Sequence, residues 1–303
     1  MEKQLGGYDI IGRLAVGGMG EVFQARPAAK GPTHEGEPGE VVLKRLLPAH
    51  RADPEWVKQF LDEAKRAVPL HHPHVVRSYR CFKTGQDYVL VQELVKGRTL
   101  EYMQKAFATS GAAMDPSAAV YIVRCLLKAL AYLHHDETGG GEGALVHRDV
   151  NPSNILLSVT GEVKLTDFGV AEPLIPHHPH SGALKGTVGY MAPEAVLGRK
   201  IDARADLYSA GLILWELLAN APLFSQGTEV EVMHKVRDAR VPNLEKRMPS
   251  LPAFAAQVVR KAVRADPAAR FQTATEFGLA LDALVTRCQW PSSAEALKSM
   301  LEG

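Results

Sequence analysis

The sequence predicts an α+β protein in two parts, a small lobe built on a sheet with one helix and a larger lobe that is mainly helical. Three observations carry this reading. Extended apolar runs surround a glycine cluster in residues 8–44, amphipathic segments at helical spacing dominate after Gly97, and the residues fit for chemistry collect in a loop-rich stretch between two of those segments. At 303 residues the chain exceeds the usual size of a single core, as one large two-lobed unit would.

The elements follow in order. Tyr8-Asp9-Ile10-Ile11, Glu21-Val22-Phe23-Gln24-Ala25 and Val41-Val42-Leu43-Lys44 read as three strands, with residues 17–20 as a glycine turn between the first two. Arg26 to Glu40, rich in Gly and Pro, is expected to be an exposed and mobile hairpin loop. Pro54 to Val68 has helical spacing behind an Asp53-Pro54 start, an N-cap with proline in the first turn. Val75 to Tyr79 and Tyr88 to Val91 complete five strands. Beyond Gly97, helices are expected over 117–134, 205–218, 229–237, 253–265 and 274–284. The stripe Leu126, Leu130, Leu133 is core at helical spacing. Residues 285–303 hold Trp290-Pro291 and a short helical pattern, either packed on the helical lobe or the cut end of a longer chain.

Composition excludes several classes. Hydrophobic residues at 46% and charged residues at 23% are globular values. Thirty-five Lys plus Arg against 34 Asp plus Glu leave a net charge of +1, which gives no field for holding nucleic acid, so no nucleic-acid partner is expected. Cys81, Cys125 and Cys288 are few, odd in number and far apart, as reduced thiols of a cytoplasmic protein would be. The first seven residues lack the apolar run of a secretory signal. The most apolar stretch, Ala210 to Leu218, is far shorter than the ~20 residues of a membrane span, so none is expected.

The chemistry lies in an ordered series. Gly17-Gly18-Met19-Gly20 sits between two strands, where backbone amides can approach phosphate without side-chain obstruction. A strand lysine, Lys44, and a helical acid, Glu63, follow it. Next come His147-Arg148-Asp149-Val150-Asn151-Pro152-Ser153-Asn154, then Asp167-Phe168-Gly169, then Ala192-Pro193-Glu194. In this order the motifs resemble those of the eukaryotic-like (Hanks-type) protein kinases, over roughly Tyr8 to Leu284. The glycine segment and Gly186-Thr187-Val188-Gly189-Tyr190-Met191 resemble the bacterial serine/threonine branch.

The resemblance implies a bilobal protein kinase fold: an N-lobe over residues 1–95 with a five-stranded antiparallel sheet and one helix, a C-lobe over 96–284, and a tail over 285–303. It implies ATP and Mg2+ as cofactors, with Mn2+ as an alternative, and transfer of the γ-phosphate to hydroxyls of protein substrates, including autophosphorylation in trans. Site residues carry over one by one. Lys44, paired with Glu63, would contact the α- and β-phosphates; Asp149 would serve as base; Asn154 and Asp167 would hold metal. Leu14, Ala15, Gly17, Gly18, Gly20, Val22, Val42 and Leu156 would line the nucleotide. Glu93 and Val95 would meet the adenine with backbone groups, Gln92 would stand behind it, and Thr187 would bond the catalytic Asp. Arg148 would receive a phosphate or acid from the activation segment, in which Ser181 is the mobile hydroxyl.

Three positions depart from the family pattern. Ala15 replaces the first loop glycine, and Val42 replaces a small residue and narrows the adenine slot. Asn151 stands where serine/threonine kinases carry a lysine aimed at the γ-phosphate. Loss of such a cation costs on the order of 3 kcal/mol, or roughly a hundredfold in rate, if nothing substitutes. A nucleotide-binding pseudokinase serving as an interaction module is therefore the alternative, and a small-molecule phosphotransferase a third. The clusters His177-His178-Pro179-His180 and His71-His72-Pro73-His74 read as a polar loop and a packed turn, not as metal sites.

Overall fold

The computed structural model describes residues 3–29, 36–134, 145–168, 188–224 and 227–302. The chain divides into two compact units. One ends at Val95 and includes Phe168; the other spans Lys96–Asp167 and the described residues from Val188 onward.

In the first unit, strands β1 (Gln4–Leu5), β2 (Tyr8–Val16), β3 (Gly20–Pro27), β4 (Val41–Leu46), β5 (Ser78–Thr84) and β6 (Asp87–Glu93) form an antiparallel sheet in the order β1-β2-β3-β4-β6-β5. Helix α1 (Pro54–Ala67) starts where expected, with Asp53 accepting from the Glu55 N–H and Pro54 in the first turn. Alternation along β4 assigns the two faces of the sheet. Val41 and Leu43 join Tyr8, Phe23, Val89 and Val91 in one core, while Lys44 and Val42 pair in register with Leu90 and Gln92. Leu90 packs with Phe60 and Ala64 of α1.

Three expectations for this unit need correction. The sheet has six strands, not five, because Gly6 and Gly7, both at positive φ (57° and 90°), turn Gln4–Leu5 back onto Tyr8–Asp9. Two residues are too few to show a period in sequence. A Cβ at Gly6 would also lie 2.2 Å from the Phe82 ring, so no other residue fits without shifting it. The fourth expected strand, Val75 to Tyr79, is displaced to Ser78–Thr84. Val75 makes only an isolated bridge and Val76 lies in the loop after it; both are buried (1% and 2% exposed), and their apolar character reports burial rather than a continuous strand. Finally, the end of the Arg26–Glu40 segment is fixed. The Glu37 side chain, 3% exposed, accepts from the Tyr8 hydroxyl at 2.5 Å and from Arg80 Nε at 2.8 Å, and Arg80 also donates to the Tyr8 oxygen at 2.7 Å. Burial first, then the Glu37 bond, pushes the Tyr8 phenol up to about 12.

The second unit holds strands β7 (Gly97–Thr99), β8 (Ile155–Ser158) and β9 (Val163–Leu165) and the longer helices α2 (Leu100–Ser110), α3 (Pro116–His134), α5 (Arg204–Ala219), α6 (Glu229–Arg237), α8 (Ala253–Ala262), α9 (Ala274–Cys288) and α10 (Ala294–Glu302), with the single turns α4 (Pro193–Val196) and α7 (Leu244–Arg247) between them. Helix α2 is absent from the sequence expectation. Its apolar stripe is weak, with only Leu100 buried, and it forms on the Thr99 N-cap and ends at left-handed Gly111.

Helix α3 is the one described helix whose length and hydropathy would let it cross a membrane, yet 67% of that window is buried inside the unit, and it packs against α5 and α9. It is a core helix. Helix α9 runs on to Cys288, past the expected end at Leu284, and α10 packs on α3 with Leu297 fully buried. All three cysteines are free.

Glu37→Ala should cost about 2 kcal/mol, because it leaves the Arg80 guanidinium and the Tyr8 hydroxyl without their acceptor. Urea unfolding followed by far-UV circular dichroism measures this, and an unchanged midpoint would show that the segment is not pinned.

Candidate active site

In the first unit, Lys44 Nζ lies 2.6 Å from Glu63 Oε1, the two side chains 12% and 6% exposed. Strand β4 presents Lys44 on the face covered by α1, and the helix presents Glu63 one turn after Phe60 seats it there. Breaking such a buried pair costs about 3–5 kcal/mol, since the survivor keeps an uncompensated charge. Between β2 and β3 the loop is closed by Gly17 N–H donating to the Gly20 carbonyl at 2.8 Å. Gly20 is required by packing: a Cβ there would sit 2.7 Å from the Arg45 carbonyl oxygen. Leu14 and Val16 are 51% and 56% exposed, apolar side chains left uncovered at the end of β2 next to the glycine loop. Gln92, 5% exposed, donates to Ser78 Oγ at 3.2 Å, and the Glu93 carboxylate accepts from the Arg77 N–H at 2.8 Å.

The second unit gathers Asp149, Asn151 and Asn154 on one loop that ends in a 3-10 turn, Pro152–Asn154. Asn151 Nδ2 donates to Asp149 Oδ1 at 2.8 Å, and Asn154 Nδ2 donates to Oδ2 at 2.9 Å, so each carboxylate oxygen has its own donor. The Asn151 oxygen meanwhile accepts from the Ser153 N–H at 2.9 Å and from its hydroxyl at 2.5 Å, capping the turn. Asn151 thus supplies a neutral donor to the Asp149 carboxylate. Burial pushes the Asp149 carboxyl up; His147 and the two amide donors oppose this, and the Asp167 charge adds to it.

The loop is held from below by Asp206 of α5, which is 1% exposed. It accepts from the His147 and Arg148 backbone N–H groups, both at 2.8 Å, and from His134 Nε2 at 2.8 Å. Arg148 has φ 67° and Asp167 φ 57°, conformations that side-chain-bearing residues take only when the surroundings impose them. His147 Nε2 donates to the Thr166 carbonyl at 3.2 Å and its Nδ1 accepts from the Asp149 N–H at 3.3 Å, which sets the neutral tautomer.

The segment from Val188 onward is fixed to the same helix. Ser209 Oγ donates to the Tyr190 carbonyl at 2.7 Å, and the Tyr190 hydroxyl donates to Glu216 Oε2 at 2.6 Å; burial raises the pKa of both Tyr190 and Glu216. Glu194 makes a two-pronged pair with Arg270, both contacts at 2.7 Å, with Arg270 fully enclosed over the Tyr208 ring.

Residues 8–278 match the family model of the protein kinase domain. The chain belongs to the protein kinase family. It is 31% identical to the tyrosine-protein kinase MasK of Myxococcus xanthus over 98% of its own length and 46% of that protein. It is 30% identical to the serine/threonine-protein kinase PrkC of Bacillus subtilis over 89% of its length and 39% of that protein, so it spans less than half of these curated relatives. The kinase domain of PknI from Mycobacterium tuberculosis superposes with a TM-score of 0.68 at 28% identity, covering 92% of this chain and 97% of that one.

Within the kinase domain, the sequence reading foresaw the residues brought together as Lys44 with Glu63 and as Asp149 with Asn154. It counted Asp206 as part of a helical run that resembles the family but gave it no role as an anchor, and it missed His134 beside it and Glu216 beneath Tyr190. An acid two residues into a long apolar helix is the signal that could have exposed Asp206, since burial demands a partner for it. Thr187, Ser181, Gly169 and the 177–180 histidine cluster lie outside the described residues. Asp206→Asn should destabilise the domain by about 3 kcal/mol, because an NH2 group would face backbone donors. Hydrogen exchange should then show faster exchange of the His147 and Arg148 amides, and unchanged rates would refute the anchor.

Proposed function

We propose that this domain is a serine/threonine protein kinase that transfers the γ-phosphate of ATP to a protein hydroxyl. The observation that carries the reading is the Asp149 carboxylate, held by one amide donor on each oxygen and raised by burial. A base so held is oriented before the substrate arrives, which is most of what phosphoryl transfer asks of a protein.

The remaining assignments follow the family pattern. Lys44, kept in place by Glu63, would hold the α- and β-phosphate oxygens. The residues of the first unit fit the nucleotide: glycines with little side-chain bulk, exposed apolar Leu14 and Val16 available to cover a flat ring, and Ala15, Val22 and Val42 on strands β2, β3 and β4; by family likeness Leu156 would line it too. Glu93 and Val95 would offer backbone groups to the adenine, with Gln92 held behind it by Ser78.

The residues also fit a hard divalent cation. Asn154 donates its nitrogen to Asp149 and so turns its oxygen the other way, and Asp167 adds a carboxylate, an oxygen-only set suited to Mg2+. When bound, the ion would neutralise phosphate charge as the transfer proceeds. Asp149 would take the hydroxyl proton, and Thr187 would bond Asp149 by family likeness. Autophosphorylation in trans would use the same chemistry on a second copy. A phenolic acceptor is a second reading, favoured by the 31% identity to MasK, a protein named as a tyrosine kinase.

Incubation with labelled ATP and Mg2+ and a basic protein substrate should give labelled phosphoserine or phosphothreonine that Asp149→Ala abolishes. Phosphotyrosine alone would establish the second reading. Absence of transfer with ATP still raising the melting temperature would make the domain a nucleotide-binding pseudokinase. Asn151→Lys restores a cation near the transferring group, and kcat should rise about tenfold with KM for ATP within about threefold of the parent. An unchanged or lower kcat would mean that the Asn151 amide already supplies what the site needs.

A further inference from the structure

The glycine-rich loop is held by a side chain that comes from outside its own hairpin. Gly17, Gly18 and Gly20 leave the loop little side-chain packing of its own, and glycine has the most backbone freedom to lose. Two bonds reach its tip from the chain that follows β4. The Leu47 N–H donates to the Met19 carbonyl at 2.9 Å, and His50 Nε2 lies 3.0 Å from the Gly18 carbonyl oxygen, 32 residues away in sequence. A carbonyl oxygen can only accept, so His50 Nε2 carries the proton in this contact.

His50 closes a short 3-10 turn, Pro48–His50, and its ring stacks on Trp56 with centroids 4.2 Å apart and planes 15° from parallel. Trp56 lies in the first turn of α1 and packs against the cluster of Leu46, Phe60, Ala64 and Leu90. The same helix carries Glu63, two turns further on, against Lys44. A continuous line of contact therefore runs from the helix that positions the strand lysine, through Trp56 and His50, to the carbonyl at the tip of the loop.

We propose that His50 is a positioning residue for the nucleotide: supported by Trp56, it holds the Gly18 carbonyl and so couples the glycine-rich loop to helix α1. This inference rests on the kinase reading for its effect on ATP, while the latch itself is a property of the first unit alone. Restraining the loop before the nucleotide arrives removes part of the ordering cost of binding, which acts on affinity and not on the chemical step. The geometry also sets which replacements can stand in. The amide nitrogen of Gln occupies the place of imidazole Nε2, whereas that of Asn falls at the place of Nδ1 and cannot reach the carbonyl.

The test compares the parent chain with His50→Ala, His50→Gln and His50→Asn in two measurements. Without nucleotide, hydrogen exchange of the Gly17 and Leu47 amides should quicken in His50→Ala and His50→Asn and stay near the parent in His50→Gln. With ATP and Mg2+, KM for ATP should rise about three- to tenfold in the first two variants with kcat within about twofold, as expected for one lost hydrogen bond. The melting temperature without nucleotide serves as the control for folding.

Equal exchange rates in all four proteins would overturn the latch whether or not the chain transfers phosphate. Faster exchange with an unchanged KM would overturn its role in nucleotide positioning. A parent chain that neither binds ATP nor transfers phosphate would instead overturn the kinase reading, and the exchange data would still decide the latch.

Discussion

The buried carboxylate of Asp206 is the constraint on which the catalytic loop depends. Every residue from Ala205 to Ala219 of its helix is buried, so a charge there is tolerated only because three donors converge on it. Two of them are the backbone N–H groups of His147 and Arg148, the latter in a left-handed conformation that the chain would not adopt unaided. Local strain at Arg148 is thus offset by hydrogen bonds to a rigid interior element. One turn later Ser209 holds the Tyr190 carbonyl, and two turns beyond that Glu216 holds its hydroxyl. A single enclosed helix fixes both the loop that bears Asp149 and the start of the segment leading to Glu194. An enclosed helix suits this task because it has almost no freedom to move apart from the core.

Asn151 shows how a substitution can alter chemistry and keep geometry. A lysine at this position would bring a cation on a longer side chain; asparagine brings a short neutral donor to the carboxylate and, in addition, an acceptor that caps the turn through Ser153. The Asp149 carboxylate has a donor on each oxygen while position 151 carries no charge. Asp149 therefore lies among neutral amides, with the Asp167 charge adding to the upward pull of burial.

Much of this was legible in the sequence because it rests on short-range pattern. Alternation gave β4 and β6, helical period gave α1, α3, α5 and α9, and the order of motifs placed Lys44, Glu63, Asp149 and Asn154. What stayed hidden rests on tertiary context. Val75 and Val76 carry strand-like side chains because they are buried, with no ladder to join. Helix α2 shows little stripe because it buries little, and β1, at two residues, is too short for its alternation to repeat. The Glu37 contacts with Tyr8 and Arg80 span 29 and 43 residues, a separation that no local rule detects. The same holds for Asp206, whose partners lie 58 to 72 residues away.

The last helix bears on where this domain can be cut. The family match stops at residue 278, inside α9, and the kinase motifs end earlier still. Yet Leu297 is fully enclosed, α10 lies along α3, and Gly161 has φ 85° where any side chain would meet the Ala294 carbonyl oxygen at 2.2 Å. The turn before β9 is therefore shaped to receive the final helix. A shortened version ending with the motif series would uncover the flank of α3 that α10 covers, on the one described helix apolar enough to span a membrane, and solubility would fall.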